Sequence, residues 1–189
     1  INKFFNYKNA KKLKKFKKQT DVICAANVIC HIPDLRNIIK SIDFLLSNDG
    51  VFVFEEPYLG SMFKKVSYDQ IYDAHIFIFS LHSVKTIFNE YNFDLVDAIP
   101  QSTHGGSMRY IISRKGHRNI SNRVKKLFNR EKEMKLNTLS ACLSFKKKCE
   151  NSKKNFRKKI FRLKKEGKKI CGYAASAKST TALNYCKID

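Results

Sequence analysis

Asp21-Val22-Ile23-Cys24-Ala25-Ala26-Asn27 is a short apolar run that follows a polar, Lys-rich stretch. Its length and lack of alternation predict a fully buried strand. Pro33-Asp34 then opens a helix with Asp34 as its N-cap. Leu35, Ile38, Ile39, Ile42, Leu45 and Leu46 form one apolar face at helical period. Asn48-Asp49-Gly50 reads as a turn, and Val51-Phe52-Val53-Phe54 as a second buried strand ending at Glu55. Strand, helix and strand in so short a span predict a βαβ unit with a parallel pair. Ligands in such sheets lie beyond the carboxyl ends of the strands. Those ends are Asn27 through His31 and Glu55 through Tyr58, where the polar residues fall.

Further along, Ser80 reads as an N-cap and Leu81, Val84, Ile87, Phe88 and Tyr91 as an inward helix face. Phe93 to Ile99 and Met108 to Ser113 read as strands joined by a tight polar loop, Gln101 to Ser107, and as an antiparallel pair at a sheet edge. From Ile120 to Leu163 the pattern is helical, and Gly167 stops it. Lys168 to Tyr173 then reads as a strand, Ala174 to Lys178 as a loop, and Thr180 onward as a helix. This predicts the start of a second α/β unit, with a domain change near residues 115–120.

The chain has 189 residues and 43% hydrophobic content, enough for a packed core. No apolar run is long enough for a membrane span, and no membrane partner is expected. Ile1 is not Met, no secretion-type leader is seen, and the chain stops at Asp189 just inside a helix. Both ends are expected to lie inside a longer protein. The net charge of +22 invites a nucleic-acid reading. The Lys-rich stretches Lys8 to Lys18 and Lys146 to Lys169 also carry apolar residues at helical spacing, so solvated helix faces are preferred over a nucleic-acid surface. None of the six cysteines forms a C-x-x-C pair, so no metal ligand set is read in this chain. Cys24, Cys30, Cys142, Cys149 and Cys171 sit in apolar settings and are expected as buried free thiols in a reducing cytoplasm.

Four segments hold chemistry-bearing residues. His31, past the first strand, reads equally well as a site residue or a loop cap. Tyr72 and His75 share one side of a turn: His suits proton abstraction near neutral pH, and Tyr can donate to a developing oxyanion. Taken alone, they read first as two aromatics of a surface loop. Thr103-His104-Gly105-Gly106-Ser107 lets backbone amides approach a ligand, or is simply a reverse turn. Gly172 to Thr181 enters a helix with Lys178 and several hydroxyls, which suits phosphate, although the P-loop spacing is absent.

In this order the segments resemble the sugar C-methyltransferases of deoxysugar biosynthesis. The family's A-N-N-V-x-x-H-I-P-D-L appears as Ala25 to Leu35, and its G-V-F-V-F-E-x-P-Y-L as Gly50 to Leu59. Its I-Y-H-E-H…F-S-L appears as Ile71 to Leu81, its T-H-G-G-S as Thr103 to Ser107, and its G-Y-G-A-x-A-K-x-x-T…L-N-Y-C as Gly172 to Cys186. The resemblance implies an α/β fold. Residues 1–117 would be the C-terminal half of a Rossmann-like class I methyltransferase sheet. Residues 118–189 would be a helical segment and the start of the C-terminal domain. It places a zinc-bearing Cys-rich module, the Gly-rich cofactor loop and the acidic ribose-binding residue outside this chain.

The implied reaction is S-adenosylmethionine-dependent methylation of a carbon beside the ketone of a nucleotide-linked 4-keto-deoxysugar. His75 matches the base that forms the enolate. Tyr72 and His31 match residues that orient the sugar or stabilise the enolate oxygen. Ala25, Ala26 and Asn27 would border the cofactor. Glu55, Tyr58, His104, Gly105, Gly106, Ser107, Tyr173, Ser176, Lys178, Ser179 and Thr180 would line the nucleotide-sugar cleft. The sequence departs from the family at Ala74, where the motif has Glu, at Asp73, where it has His, and at Ala26, where it has Asn. These departures motivate two rival expectations: a nucleotide-sugar or nucleic-acid binder that has lost catalysis, and an inactive truncated product holding half a cofactor site.

Overall fold

The structure is a computed structural model and describes residues 2–173 and 176–188. Among these residues four strands form one sheet in the order β1-β2-β4-β3: β1 is Thr20–Ala26, β2 Leu46–Pro57, β3 Phe93–Gln101 and β4 Ser107–Arg114. Among the described residues seven α-helices accompany it: α1 Tyr7–Ala10, α2 Leu35–Leu45, α3 Leu59–Lys65, α4 Leu81–Asn89, α5 Asn122–Glu133, α6 Leu139–Lys165 and α7 Ala177–Cys186. No helix among the described residues is long and apolar enough to cross a membrane.

The βαβ unit forms as its pattern predicts. β1 and β2 run parallel, with Ile23 opposite Phe52 and Ala25 opposite Phe54. Asp34 caps α2, its side chain accepting from the Asn37 amide. Ile38, Ile39 and Ile42 are buried against Phe52 and Phe54. The turn read at Asn48-Asp49-Gly50 is absorbed into β2 as a register jump, from Thr20↔Leu46 to Val22↔Val51. β4 pairs antiparallel with both β2 and β3, which leaves β3 at the edge. Ser80 caps α4 reciprocally with Ser83, and α4 lays Leu81, Val84 and Phe88 on the same face of the sheet as α2.

Three expectations are corrected. β1 is not fully buried: it forms an edge of the sheet, and Val22 is 54% exposed. Its apolar run reports a strand suited to burial, but only Ile23 and Ala25 pack against the core. Residues 168–173 form no strand and are exposed, because no strand among the described residues pairs with them. Cys24, Cys142 and Cys171 are exposed, while Cys30, Cys149 and Cys186 are buried; all six are free. Apolar neighbours along the chain set a helix or strand face; Cys24 in β1 and Cys142 in α6 fall on faces that no described residue covers, and Cys171 lies in the segment that forms no strand.

Gly167 does end α6. It adopts φ +70, and the amides of Gly167 and Lys168 return to the carbonyls of Lys164 and Leu163. α7 begins at Ala177, earlier than the Thr180 start read from the sequence, because Ser176 and Ser179 cap it reciprocally. Ala174 and Ala175, part of the predicted loop, lie outside the described residues. α6 and α7 dock through Phe145 and Cys149 against Met62 and Phe63, with the Tyr185 ring 4.8 Å from that of Tyr68. This docking carries the first turn of α7 to the loop after α3.

Candidate active site

The site is assembled around a short turn beyond β1. Ile29–His31 form one 3₁₀ turn, held from beneath by Glu56. Phe52, Phe54 and Glu56 alternate onto the core face of β2, so a carboxyl group is carried into the interior, fully buried. Its Oε1 accepts from the amides of Val28 at 2.9 Å and Ile29 at 2.6 Å, while Oε2 meets no hydrogen-bond geometry among the described residues and the Cys30 thiol lies beside the carboxylate. The Cys30 carbonyl then accepts from Ile76 and Phe77, which ties this turn to the segment carrying Tyr72 and His75.

Three residues expected to act together do meet. The rings of His31 and His75 stand 5.0 Å apart, and those of Tyr72 and His75 4.1 Å apart. His75 Nδ1 lies 2.9 Å from the Gln70 carbonyl. A carbonyl only accepts, so Nδ1 carries the proton and Nε2 the lone pair of the neutral ring. The Tyr72 hydroxyl, 2.8 Å from Nε2, donates to that lone pair. His31 is oriented in the same way, its Nδ1 2.5 Å from the Ala74 carbonyl. The departure at position 74 therefore leaves this backbone contact in place.

Electrostatics favour a neutral His75 imidazole. Burial lowers the His75 pKa below its usual value, and the neighbouring His31 and Lys178 lower it further, against the opposing Gln70 carbonyl and Glu56. Burial raises the Tyr72 pKa, so the phenol stays protonated and can donate.

Gln70 joins this pair to the glycine loop. Its carbonyl holds His75, and its Nε2 donates to the His104 carbonyl at 2.7 Å. His104 and Gly105 adopt positive φ, and Gly106 at φ +126 hands its carbonyl to the Tyr58 amide. Ser107 is buried, with its hydroxyl on the Thr103 carbonyl. Tyr58 itself is buried, and burial together with nearby Glu131 pushes its phenol well up. Glu55 lies on the opposite face from Glu56, where it accepts from Thr103 and pairs with Arg109 at 2.9 Å. Ala25 and Ala26 end β1, and Asn27 follows them into this turn. Asn27 adopts φ +53, and its amide donates to the Glu55 carbonyl.

Of the C-terminal candidates, Lys178 is close enough to influence His75. Lys178 and Ser179 line a cleft with Lys65, Ser67 and Tyr68. Ser176 and Thr180 sit exposed in the first turn of α7. Tyr173 is fully exposed and is not brought to the histidines. Gln70, Glu56 and Arg109 carried no role in the sequence reading. Period-two alternation with Phe52 and Phe54 was a signal for Glu56; nothing local distinguishes Gln70.

Residues 2–98 match the model of a methyltransferase domain, and residues 102–189 that of a C-methyltransferase C-terminal domain. The chain is similar to the C-methyltransferase NovU of Streptomyces niveus, 27% identical over 157 residues. That match covers 82% of this chain and spans only 37% of that protein's length. A solved SAM-dependent methyltransferase from Anabaena variabilis superposes with a TM-score of 0.42 at 14% identity, covering 59% of this chain and 56% of that one. The chain belongs to the methyltransferase-domain family, and the C-methyltransferase C-terminal domain matches the rest of it.

Proposed function

We propose that this chain is the part of an S-adenosylmethionine-dependent C-methyltransferase that carries its proton-abstraction chemistry, with His75 as general base on a nucleotide-linked 4-keto-deoxysugar. The observation that carries this reading is the chain Gln70 carbonyl–His75–Tyr72. It presents an imidazole lone pair beside a phenolic donor in one tautomer.

His75 Nε2 takes the proton on the carbon beside the ketone, and the C–H electron pair becomes the enolate. For this the Tyr72 hydroxyl leaves Nε2 and donates to the carbonyl oxygen, where the negative charge develops. His31, its Nδ1–H held by Ala74, presents Nε2 from the other side and orients the sugar. Lys65 and Lys178 flank a cleft suited to the diphosphate of the nucleotide. Ala26 and Asn27, exposed at the carboxyl end of β1, offer a small-residue border and a polar side chain that fit S-adenosylmethionine. That group, when bound, supplies the electrophilic methyl. A positioned base contributes on the order of 10² to 10⁴-fold in rate.

The test is exchange of the substrate's α-proton for solvent deuterium, in the protein extended to the full length of its relatives and without cofactor. His75→Ala is expected to abolish exchange and Tyr72→Phe to slow it. Undiminished exchange in His75→Ala refutes the assignment.

A second reading, a catalytically silent binder of nucleotide sugar or nucleic acid, is favoured by the net charge of +22 and by Ala74. It requires DNA or RNA binding with a steep salt dependence, or sugar binding without exchange.

A further inference from the structure

Cys30 Sγ and one ring nitrogen each from His31 and His75 all lie within 4.8 Å of one another. A thiolate and two imidazoles form a ligand set for a thiophilic divalent cation. Tetrahedral zinc, with bonds of about 2.0–2.3 Å, holds neighbouring ligand atoms about 3.3–3.6 Å apart. The trio is therefore wider than a loaded site by at most roughly an ångström, which small side-chain rotations can close.

Two further observations point the same way. Both histidines use Nδ1–H on a backbone carbonyl, His31 on Ala74 and His75 on Gln70. Both therefore offer Nε2 as a lone pair. Metal-binding histidines hold their second nitrogen in this manner, which fixes both tautomer and ring direction. The third ligand is anchored independently, since the Cys30 carbonyl accepts from Ile76 and Phe77, and the amides just before it are held by Glu56. The ligands thus come from two segments that are already locked together.

We propose that Cys30, His31 and His75 form a binding site for a thiophilic divalent cation such as zinc, three protein ligands with a fourth position open beside Tyr72. The ion takes the lone pair on His75 Nε2 that the Tyr72 hydroxyl now occupies. Cys30 loses its thiol proton to solvent on binding, and no redox change is involved. The ion and the substrate proton compete for the same nitrogen, so the loaded site is a shut-off state of the proton-abstracting one. That consequence rests on the proposed role of His75; the binding itself does not.

The test is cobalt titration of the chain with its exposed cysteines removed (Cys24→Ser, Cys142→Ser, Cys171→Ser). A thiolate-to-cobalt charge-transfer band and intense tetrahedral d–d bands are expected, saturating near one equivalent and bleached by zinc. Cys30→Ser should remove the charge-transfer band. His31→Gln and His75→Gln should each weaken binding by at least the ~10-fold that loss of an outer-shell partner costs. No saturable band in the parent overturns the site, as does a band that survives Cys30→Ser unchanged. Should the base assignment fail, the cobalt spectrum would stand. Should the metal site fail, the dependence of deuterium exchange on His75 would be untouched.

Discussion

Replacing Glu56 tests whether the histidine turn is held from below. In Glu56→Ala two hydrogen bonds are lost, those from the amides of Val28 at 2.9 Å and Ile29 at 2.6 Å. Each contributes about 1–1.5 kcal/mol net. Val28 is 47% exposed, so its amide can turn to water; Ile29 is buried, and its stranded amide costs a further ~1–3 kcal/mol. Against this, Oε2 is buried and meets no hydrogen-bond geometry among the described residues, and removing it returns about 1–3 kcal/mol. Together these figures centre on a loss of about 2–3 kcal/mol within a span of roughly 0–5 kcal/mol. Glu56→Gln keeps an acceptor for both amides and places an amide group beside Cys30, at a cost of about 1 kcal/mol or less. The assay is urea unfolding of the chain and both variants, compared by midpoint at unchanged m-value. If Ala and Gln fall within ~0.5 kcal/mol of each other, or Gln is the more damaging, the carboxyl does not hold this turn as described.

The imidazole of His75 should titrate below 6.5, chiefly because of burial. Its folded pKa lies below the unfolded one, so its share of stability is present above pH 6.5 and is lost as pH falls through the lowered value. Ring-proton NMR with His75→Gln as the assignment control reads this directly, and the acid limb of deuterium exchange should follow the same value. Glu131 is buried and accepts from the amides of Leu81 at 2.7 Å and His82 at 3.1 Å at the start of α4. Glu131→Ala should cost about 2–4 kcal/mol in urea unfolding, whereas a surface charge would cost almost nothing. Gly106→Ala should destabilise by more than ~1 kcal/mol, since its Cβ would meet Ser61 Oγ at 2.5 Å and φ is +126; an unchanged midpoint refutes the tight loop. Timed thiol labelling read by mass spectrometry should modify Cys24, Cys142 and Cys171 quickly. Cys30, Cys149 and Cys186 should lag, with the thiols of Cys30 and Cys149 also pushed up by burial.

The local elements were legible because their determinants lie within a few residues of one another. Asp34 and Ser80 cap the helices that follow them, the faces of α2 and α4 repeat at helical period, and α2 is a crossover long enough for the two apolar runs around it to pair in parallel. The same proximity explains the failures. β1 reads as buried because its residues are apolar, yet exposure is decided by what lies beside it, and its outer edge carries no strand among the described residues. Residues 168–173 have the composition of a strand without the partner that makes one.

The family motifs supplied the residue types of the candidate site without their contacts. Tyr72 and His75 lie three residues apart, so a turn could bring them together from local geometry alone. Sequence by itself thus determined the order of elements, the parallel unit, the caps and the four polar segments. Only the tertiary structure decided that His31 faces His75, that Gln70 bridges His75 to the glycine loop, and that Glu56 rather than Glu55 underpins the turn. These contacts join residues separated by 27 to 44 positions in the chain. At that range backbone propensity has no reach; packing of the sheet against α2 and α4 determines which side chains share a space, and burial then dictates which polar atoms must find one another.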